Sequence, residues 1–204
     1  MADAKKKTAT VYGPKHTLCR RVGYCLWGKP NCPTQSRTIK DKDGKEVNSK
    51  ERAYPAGQHG PTKRRGKLST YGELLLEKQK LRTFYNLSER QLRFIYEKSR
   101  RGEGITGNKL LANLEMRLVV AVYRSGLAPT IFAARQFVSH RHILVDGKIV
   151  NRQGYRLKEG QVISIDPQRS PVIAEIAKSS DAIAPAYLSR EAGECKATVL
   201  HEPL

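Results

Sequence analysis

The sequence predicts an α+β fold: a helical domain behind an extended basic N-terminal segment, plus a small module of two helices packed on a short β-hairpin sheet. Three observations lead there. Leu111, Leu114, Leu118, Ala121 and Val122 recur at the three-and-four spacing of an amphipathic helix. Ile143-Leu144-Val145 and Lys148-Ile149-Val150 flank Asp146-Gly147, a two-residue turn that needs positive φ and joins antiparallel strands. Residues 1–110 hold 26 Lys/Arg against 10 Asp/Glu, and include a basic Pro/Gly-rich stretch that no regular element accommodates.

The module spans residues 114–176. Its first helix carries Arg117 and Arg124, seven apart and close to one face, and ends at Gly126, where a left-handed residue suits a helix C-terminus. A second short helix starts after Thr130, an acceptable N-cap, and carries Arg135. Val162-Ile163-Ser164-Ile165 supplies a further strand after the Lys158-Glu159-Gly160 turn.

Residues 69–113 read as the helical domain. In 71–85, Leu74, Leu75, Leu81 and Phe84 are expected inside, with Glu73, Glu77, Lys78 and Lys80 outside. Ser88-Glu89-Arg90-Gln91 is a capping box that opens the next helix. That helix is expected to bury Leu92 and Ile95, with Tyr96 a further candidate, and to expose Arg90, Arg93, Lys98 and Arg100. Residues 102–107 match G-x-G-x-x-G, but a dinucleotide fingerprint follows a strand, and this one follows a helix. Gly102 and Gly104 are expected to end that helix, and Thr106 to cap the next. Residues 166–204 turn slightly acidic, with 3 Lys/Arg against 5 Asp/Glu from Ser170 on. They hold a helical piece near 173–178 and an extended end at 197–200, and are assigned to the helical domain.

Residues 1–68 form the basic extension. Residues 1–12 read as a flexible basic tail. His16-x2-Cys19 brings two metal ligands within reach of one ion, and Cys25 and Cys32 complete a tetrahedral set of the kind zinc prefers. Three free cysteines and a solvated histidine are the competing reading, because Cys25-x6-Cys32 is wider than the usual knuckle. Residues 38–51 alternate in charge around Asp43-Gly44 and read as an exposed hairpin or loop without assigned function. Residues 52–67 interleave Tyr54, Gln58 and His59 with Arg52, Lys63, Arg64, Arg65 and Lys67. Arginines on extended backbone suit RNA phosphates, and Tyr54 and His59 suit stacking or hydrogen bonding.

The net charge of +19 on 204 residues points to a polyanionic partner. The longest apolar run, 118–123, is far short of a membrane helix. The N-terminus has charge but no apolar core of a secretory signal. Four cysteines in such a chain suit reduced thiols or metal ligands.

Leu114-Glu115, Arg117-Leu118, Tyr123-Arg124, Gly126, Ala134-Arg135-Gln136, Val138, His140, His142-Ile143, Val145, Gly147, Tyr155-Arg156 and Gly160 resemble the small RNA-binding module named after the fourth protein of the small ribosomal subunit. Such modules also occur on pseudouridine synthases, tyrosyl-tRNA synthetases and stress proteins. Arg52-x-Tyr54-Pro55-x-Gly57-Gln58-His59-Gly60 with its basic run, and Glu77-Lys78-Gln79-Lys80-Leu81-Arg82-x-x-Tyr85-x-x-Ser88-Glu89-Arg90-Gln91, resemble the bacterial-type ribosomal family, and the enzyme relatives lack them. The resemblance covers roughly residues 13–190. Gly13-Pro14-Lys15-His16-x2-Cys19-Arg20-Arg21 is similar to the opening of that family's four-cysteine segment, with His16 in place of the first cysteine. Cys25 departs from the family, lying closer to Cys19 than the third cysteine should. Ile131 also departs, standing where the family usually has a basic residue; it reads either as a contact for a protein neighbour or as core.

The resemblance implies a non-enzymatic structural constituent of the small subunit, in the cytoplasm. It implies early binding to small-subunit (16S) rRNA near a multi-helix junction, nucleation of assembly, contact with the fifth and third proteins, and influence on accuracy from a position near the path by which mRNA enters. No cofactor is required, and a zinc ion would be structural. The expected RNA contacts are Arg20, Arg21, Arg52, Tyr54, Gln58, His59, Lys63, Arg64, Arg65, Lys67, Lys80, Arg90, Arg93, Arg117, Arg124, Arg135, Gln136, His140, Lys148, Tyr155 and Arg156. His140-x-His142 suggests a metal pair, but the family has both without a metal. The alternatives are a pseudouridine-synthase-type fragment, for which the rest of the chain is too small and too basic, and a zinc-bearing DNA-binding regulator, for which no recognition helix is present.

Overall fold

The computed structural model describes residues 16–29, 32–35, 37–40, 46–49, 52, 54–62, 68–102, 104–180, 182–191 and 193–203. The basic tail expected at 1–12, and Lys63, Arg64, Arg65 and Lys67, lie outside them. The chain forms two compact units that divide between Ser88 and Glu89, inside the segment 69–113 that the sequence presents as one helical domain.

The first unit holds α1 (Thr17–Val22), β1 (Arg37–Lys40), β2 (Glu46–Ser49) and α2 (Thr70–Phe84). Gly23, at φ 97°, ends α1, and its N–H bonds to the Cys19 carbonyl. Strands β1 and β2 pair antiparallel, so the described residues of the charged segment at 38–51 lie in paired strands. Residues 54–62 form turns without helix or strand. Gly60 is required there, since a Cβ would lie 1.9 Å from the Pro55 carbonyl oxygen. Ser69 caps α2 by accepting from the Gly72 N–H. The expected inside face of α2 holds only in part, because Leu74 is 67% exposed while Lys80 is half-buried. Spacing gives the phase of a helix, but the contacts decide how wide its covered stripe is.

The second unit holds α3 (Glu89–Arg100), α4 (Thr106–Glu115), α5 (Leu118–Arg124), α6 (Ile131–Ser139), β3 (Ile143–Val145), β4 (Lys148–Ile149), β5 (Val162–Ile165), α7 (Pro171–Lys178), β6 (Leu188–Ser189) and β7 (Lys196–Val199). Helix α3 buries Leu92, Ile95 and Ser99 and leaves Tyr96 exposed. The residue ahead of α4 in the N-cap position is Ile105, not Thr106, and it offers no side-chain cap.

The single helix expected through 111–124 is two helices. At Arg117 the backbone turns extended, with φ −76° and ψ 135°. The Leu118 N–H donates to the Tyr155 carbonyl (2.8 Å), and the Leu157 N–H donates to the Met116 carbonyl (2.9 Å). The Met116 carbonyl and the Leu118 N–H are therefore spent on 155–157 instead of on a continuous helical turn. Period alone does not reveal that competition.

Helix α6 begins as expected, with the Thr130 hydroxyl accepting from the Ala133 N–H. Asp146 and Gly147 both have positive φ (50° and 75°), so the hairpin turn is of the predicted kind. The sheet runs β4-β3-β5-β7-β6, antiparallel throughout. Ile143 faces Ile165, and Val145 faces Ile163, which faces Ala197 across β7. All five are buried, which puts one face of the pleat into the core. Leu114, Leu118, Val120, Val122, Ile131 and Val138 supply the helical side of that core. Ile131 is 2% exposed, so it is core. The C-terminal segment was expected to rejoin the helical domain, but β6 and β7 extend the module's own sheet.

Candidate RNA-binding surface and metal centre

His16, Cys19, Cys25 and Cys32 converge in the first unit, with one ligand atom from each lying within 4.8 Å of all the others. Helix α1 brings His16 and Cys19 onto one turn, and its left-handed end at Gly23 sends the chain back with Cys25 and Cys32. The Lys29 N–H donates to the Cys25 sulfur (3.3 Å), and the Cys32 sulfur lies 3.0 Å from the Thr34 hydroxyl. The Trp27 ring meets the His16 ring edge-on at 5.7 Å. Burial pushes the Cys19 thiol up to about 12, and the neighbouring cysteines add to that. Burial also raises Cys32, but hydrogen bonds with Thr34, Cys25 and Cys19 together outweigh it and leave that thiol lowered. One imidazole and three sulfurs form a donor set that suits zinc, whose tetrahedral bonds put ligand atoms about 3.5–3.8 Å apart. The residues present fit such an ion with a small contraction.

Of the other expected contacts in this unit, Arg20 is engaged internally. Its Nε donates to the Tyr54 carbonyl (3.2 Å), its Nη2 to the Pro55 carbonyl (3.4 Å), and its guanidinium lies 4.8 Å over the Tyr54 ring. The pair ties α1 to the loop. Arg21, Arg52, Gln58 and His59 are exposed. Lys80 pairs with Glu77 at 2.5 Å and lies 5.7 Å from the Tyr24 ring; the Glu77 contact raises its pKa.

In the second unit the arginines fall into two groups, those paired with a carboxylate and those without an ion pair among the described residues. Arg124 is paired. Its Nη2 and Nε donate to the two Glu115 carboxylate oxygens at 2.9 and 3.2 Å, and the Tyr187 hydroxyl donates to the same carboxylate at 2.7 Å. Its fork is filled by protein. Arg93 pairs with Glu97 (3.0 Å) and Arg156 with Glu202 (2.7 Å), both at the surface, where such pairs exchange readily for phosphate. Arg90 is exposed.

Arg117 and Arg135 have no ion pair among the described residues. Arg117 passes beside Gly154, where a Cβ would lie 3.5 Å from both terminal nitrogens. Burial lowers the Arg117 pKa, and the nearby charge of Arg135 lowers it further. Two cations held together without a counter-charge form a site that gains from an anion. Arg117 also bridges in backbone to Arg156. Gln136, His140 and Lys148 are exposed, and Tyr155 is half-buried, with its hydroxyl 3.4 Å from the Gln161 side-chain amide. His140 follows α6 as its C-cap and Arg141 is left-handed at φ 64°, so the two histidines do not share a strand face. Their rings are 6.1 Å apart, and the His142 Nδ1 lies 2.6 Å from the Ser170 hydroxyl.

Arg190 carries no motif in the sequence, yet it closes two helix ends. Its Nη1 donates to the Ser125 carbonyl (2.8 Å), its Nη2 to the Ala177 carbonyl (2.5 Å) and its Nε to the Glu194 carbonyl (3.2 Å). No local spacing could reveal it, because Ser125 lies 65 positions away.

Known proteins share both halves of this arrangement. The family described as "Ribosomal protein S4/S9 N-terminal domain" matches residues 10–115, and the "S4 domain" family matches residues 116–163. The chain is 40% identical to the small ribosomal subunit protein uS4 of Roseobacter denitrificans over 192 residues, 93% of this chain and 85% of that protein. It is 40% identical to the protein of the same name from Bartonella bacilliformis, over 93% and 86% of the two chains. With the one from Phenylobacterium zucineum, the identity is 39% over 94% and 87%. Two matched domains in series and near full-length relatives place the chain in the uS4 family of small ribosomal subunit proteins.

Proposed function

We propose that the chain is a structural, rRNA-binding constituent of the small ribosomal subunit, working in the cytoplasm. The observation that carries this reading is the Arg117–Arg135 pair, two guanidiniums with no carboxylate partner among the described residues. Phosphate is the anion that a net charge of +19 would meet on a ribosomal RNA. Such a protein acts by neutralising phosphates where RNA helices converge, so that their mutual repulsion no longer opposes the junction. In this reading it binds 16S rRNA early, nucleates assembly, touches the fifth and third proteins and lies near the path of incoming mRNA, which links it to accuracy. Arg117, Arg135, Gln136, His140, Lys148 and Arg156 carry the contact in the second unit, with Arg21, Arg52, Gln58 and His59 in the first. Arg20, Tyr54 and Arg124 serve the fold.

The test is a salt titration of binding to small-subunit rRNA, with tRNA and duplex DNA as competitors. Strong preference for rRNA at physiological salt supports the reading. Equal binding to all three reduces it to a generic polyanion surface.

The His16, Cys19, Cys25 and Cys32 cluster is proposed as a closed structural zinc site. The ion would hold α1 and the loop after it together, with no open position for catalysis. Elemental analysis of protein purified without added metal should give one zinc per chain, and Cys19→Ser should abolish it. A wild-type chain without metal that still binds rRNA fully would remove zinc from the account.

A further inference from the structure

We infer that Phe94 is a stacking platform for one unpaired RNA base, set in a basic stripe on α3; this rests on the rRNA-binding reading above. The buried face of α3 is marked by Leu92, Ile95 and Ser99. At about 100° per residue, Phe94 lies roughly 130° from the centre of that face, on the solvent side of the helix. It is 69% exposed. A phenylalanine that is mostly in water adds less to the fold of the unit than a buried one would.

Its neighbours name the occupant. Arg90 and Arg101 lie along the same stripe, and Lys98 follows Phe94 by one turn; all three are exposed and none has an ion pair among the described residues. The acid on this side, Glu97, is held by Arg93 at 3.0 Å. An apolar ring flanked on both sides by free cations does not suit an apolar protein surface, which would have to bury those charges. It suits a nucleotide, whose base offers a π-face and whose phosphates offer negative charge on either side. Duplex RNA hides its bases, so the ligand is a bulged or looped-out nucleotide. The stripe contacts RNA separately from the Arg117–Arg135 pair.

The test uses the full chain and small-subunit rRNA. Phe94→Ala, Phe94→Leu and Phe94→Tyr are compared with the wild type at fixed salt, after thermal melting has shown all four to be folded. Alanine should weaken binding about 5- to 150-fold, the range that one base–aromatic stack spans. Leucine should be nearly as weak, because it keeps the apolar area without the ring, and tyrosine should bind like wild type. Wild-type affinity for the alanine variant overturns the inference, and so does wild-type affinity for the leucine variant, which would mark a plain apolar contact. Arg117→Gln in the same assay separates the two levels of the argument. If it weakens binding while Phe94→Ala does not, the rRNA reading stands and the platform falls. If the wild type shows no preference for rRNA, both fall.

Discussion

Arg124 and Glu115 face each other across the break between α4 and α5, joined by two hydrogen bonds of 2.9 and 3.2 Å. Glu115 is the more buried partner, with a side chain 12% exposed, and it also accepts from Tyr187 in the C-terminal segment. The pair therefore links both helices and the tail of the second unit. Glu115→Gln should lower stability by about 1–3 kcal/mol, because it leaves Arg124 without its counter-charge. Chemical denaturation checks this. At temperatures where the variant is folded, rRNA affinity should stay within about threefold of wild type, since a filled fork contributes little to RNA binding.

Gly126 and Arg190 set a second constraint. Gly126 has φ 74°, and a Cβ there would lie 2.6 Å from the Arg190 Nη1 and 2.7 Å from the Ala182 Cβ. Gly126→Ala combines left-handed strain with the displacement of a guanidinium that caps two helices. The expected loss is roughly 1–3 kcal/mol. A melting curve unchanged from wild type would show that the tail moves aside without cost.

Arg117 should trade stability for function. Its charge is desolvated and faces Arg135, so the free protein bears a cost that only an anion relieves. Arg117→Met should leave the free protein as stable as wild type, or up to about 1 kcal/mol more stable. The same variant should bind rRNA roughly 10- to 100-fold more weakly and lower the salt slope by about 0.7–0.9. Paired denaturation and binding curves test the two halves separately.

His142 gives the second unit an acid sensitivity. Burial lowers its pKa, with His140 and Arg169 adding to the effect. The unfolded side chain titrates near about 6.5, so below that pH the unfolded chain takes up the proton more readily than the folded one. This contribution to stability is complete above about pH 6.5, and is lost as pH falls through the lower folded value. His142→Asn should flatten that part of the stability–pH curve. An unchanged slope between pH 7 and 5 would assign the sensitivity to other groups.

Local chemistry carried much of this protein in readable form. Asp146-Gly147 announces its hairpin because few residue pairs accept two positive φ values, and Thr130 and Gly126 mark helix ends through their own bonding and backbone freedom. His16, Cys19, Cys25 and Cys32 could be named as one set from ligand type and closeness in the chain. The +19 charge pointed to a polyanion before any fold was known. Tertiary structure decided what depends on partners distant in sequence. It broke the expected helix at Arg117, because residues 155–157 offered the backbone bonds that the next turn would have used. It enclosed Ile131, drew the C-terminal strands into the module's sheet, and turned Arg124 inward to Glu115 while leaving Arg117 beside Arg135 with no ion pair among the described residues. Both arginines read alike in the sequence, as basic residues seven apart on one presumed helix. A residue type fixes what a side chain can bond to, but only the fold decides whether a carboxylate has already reached it.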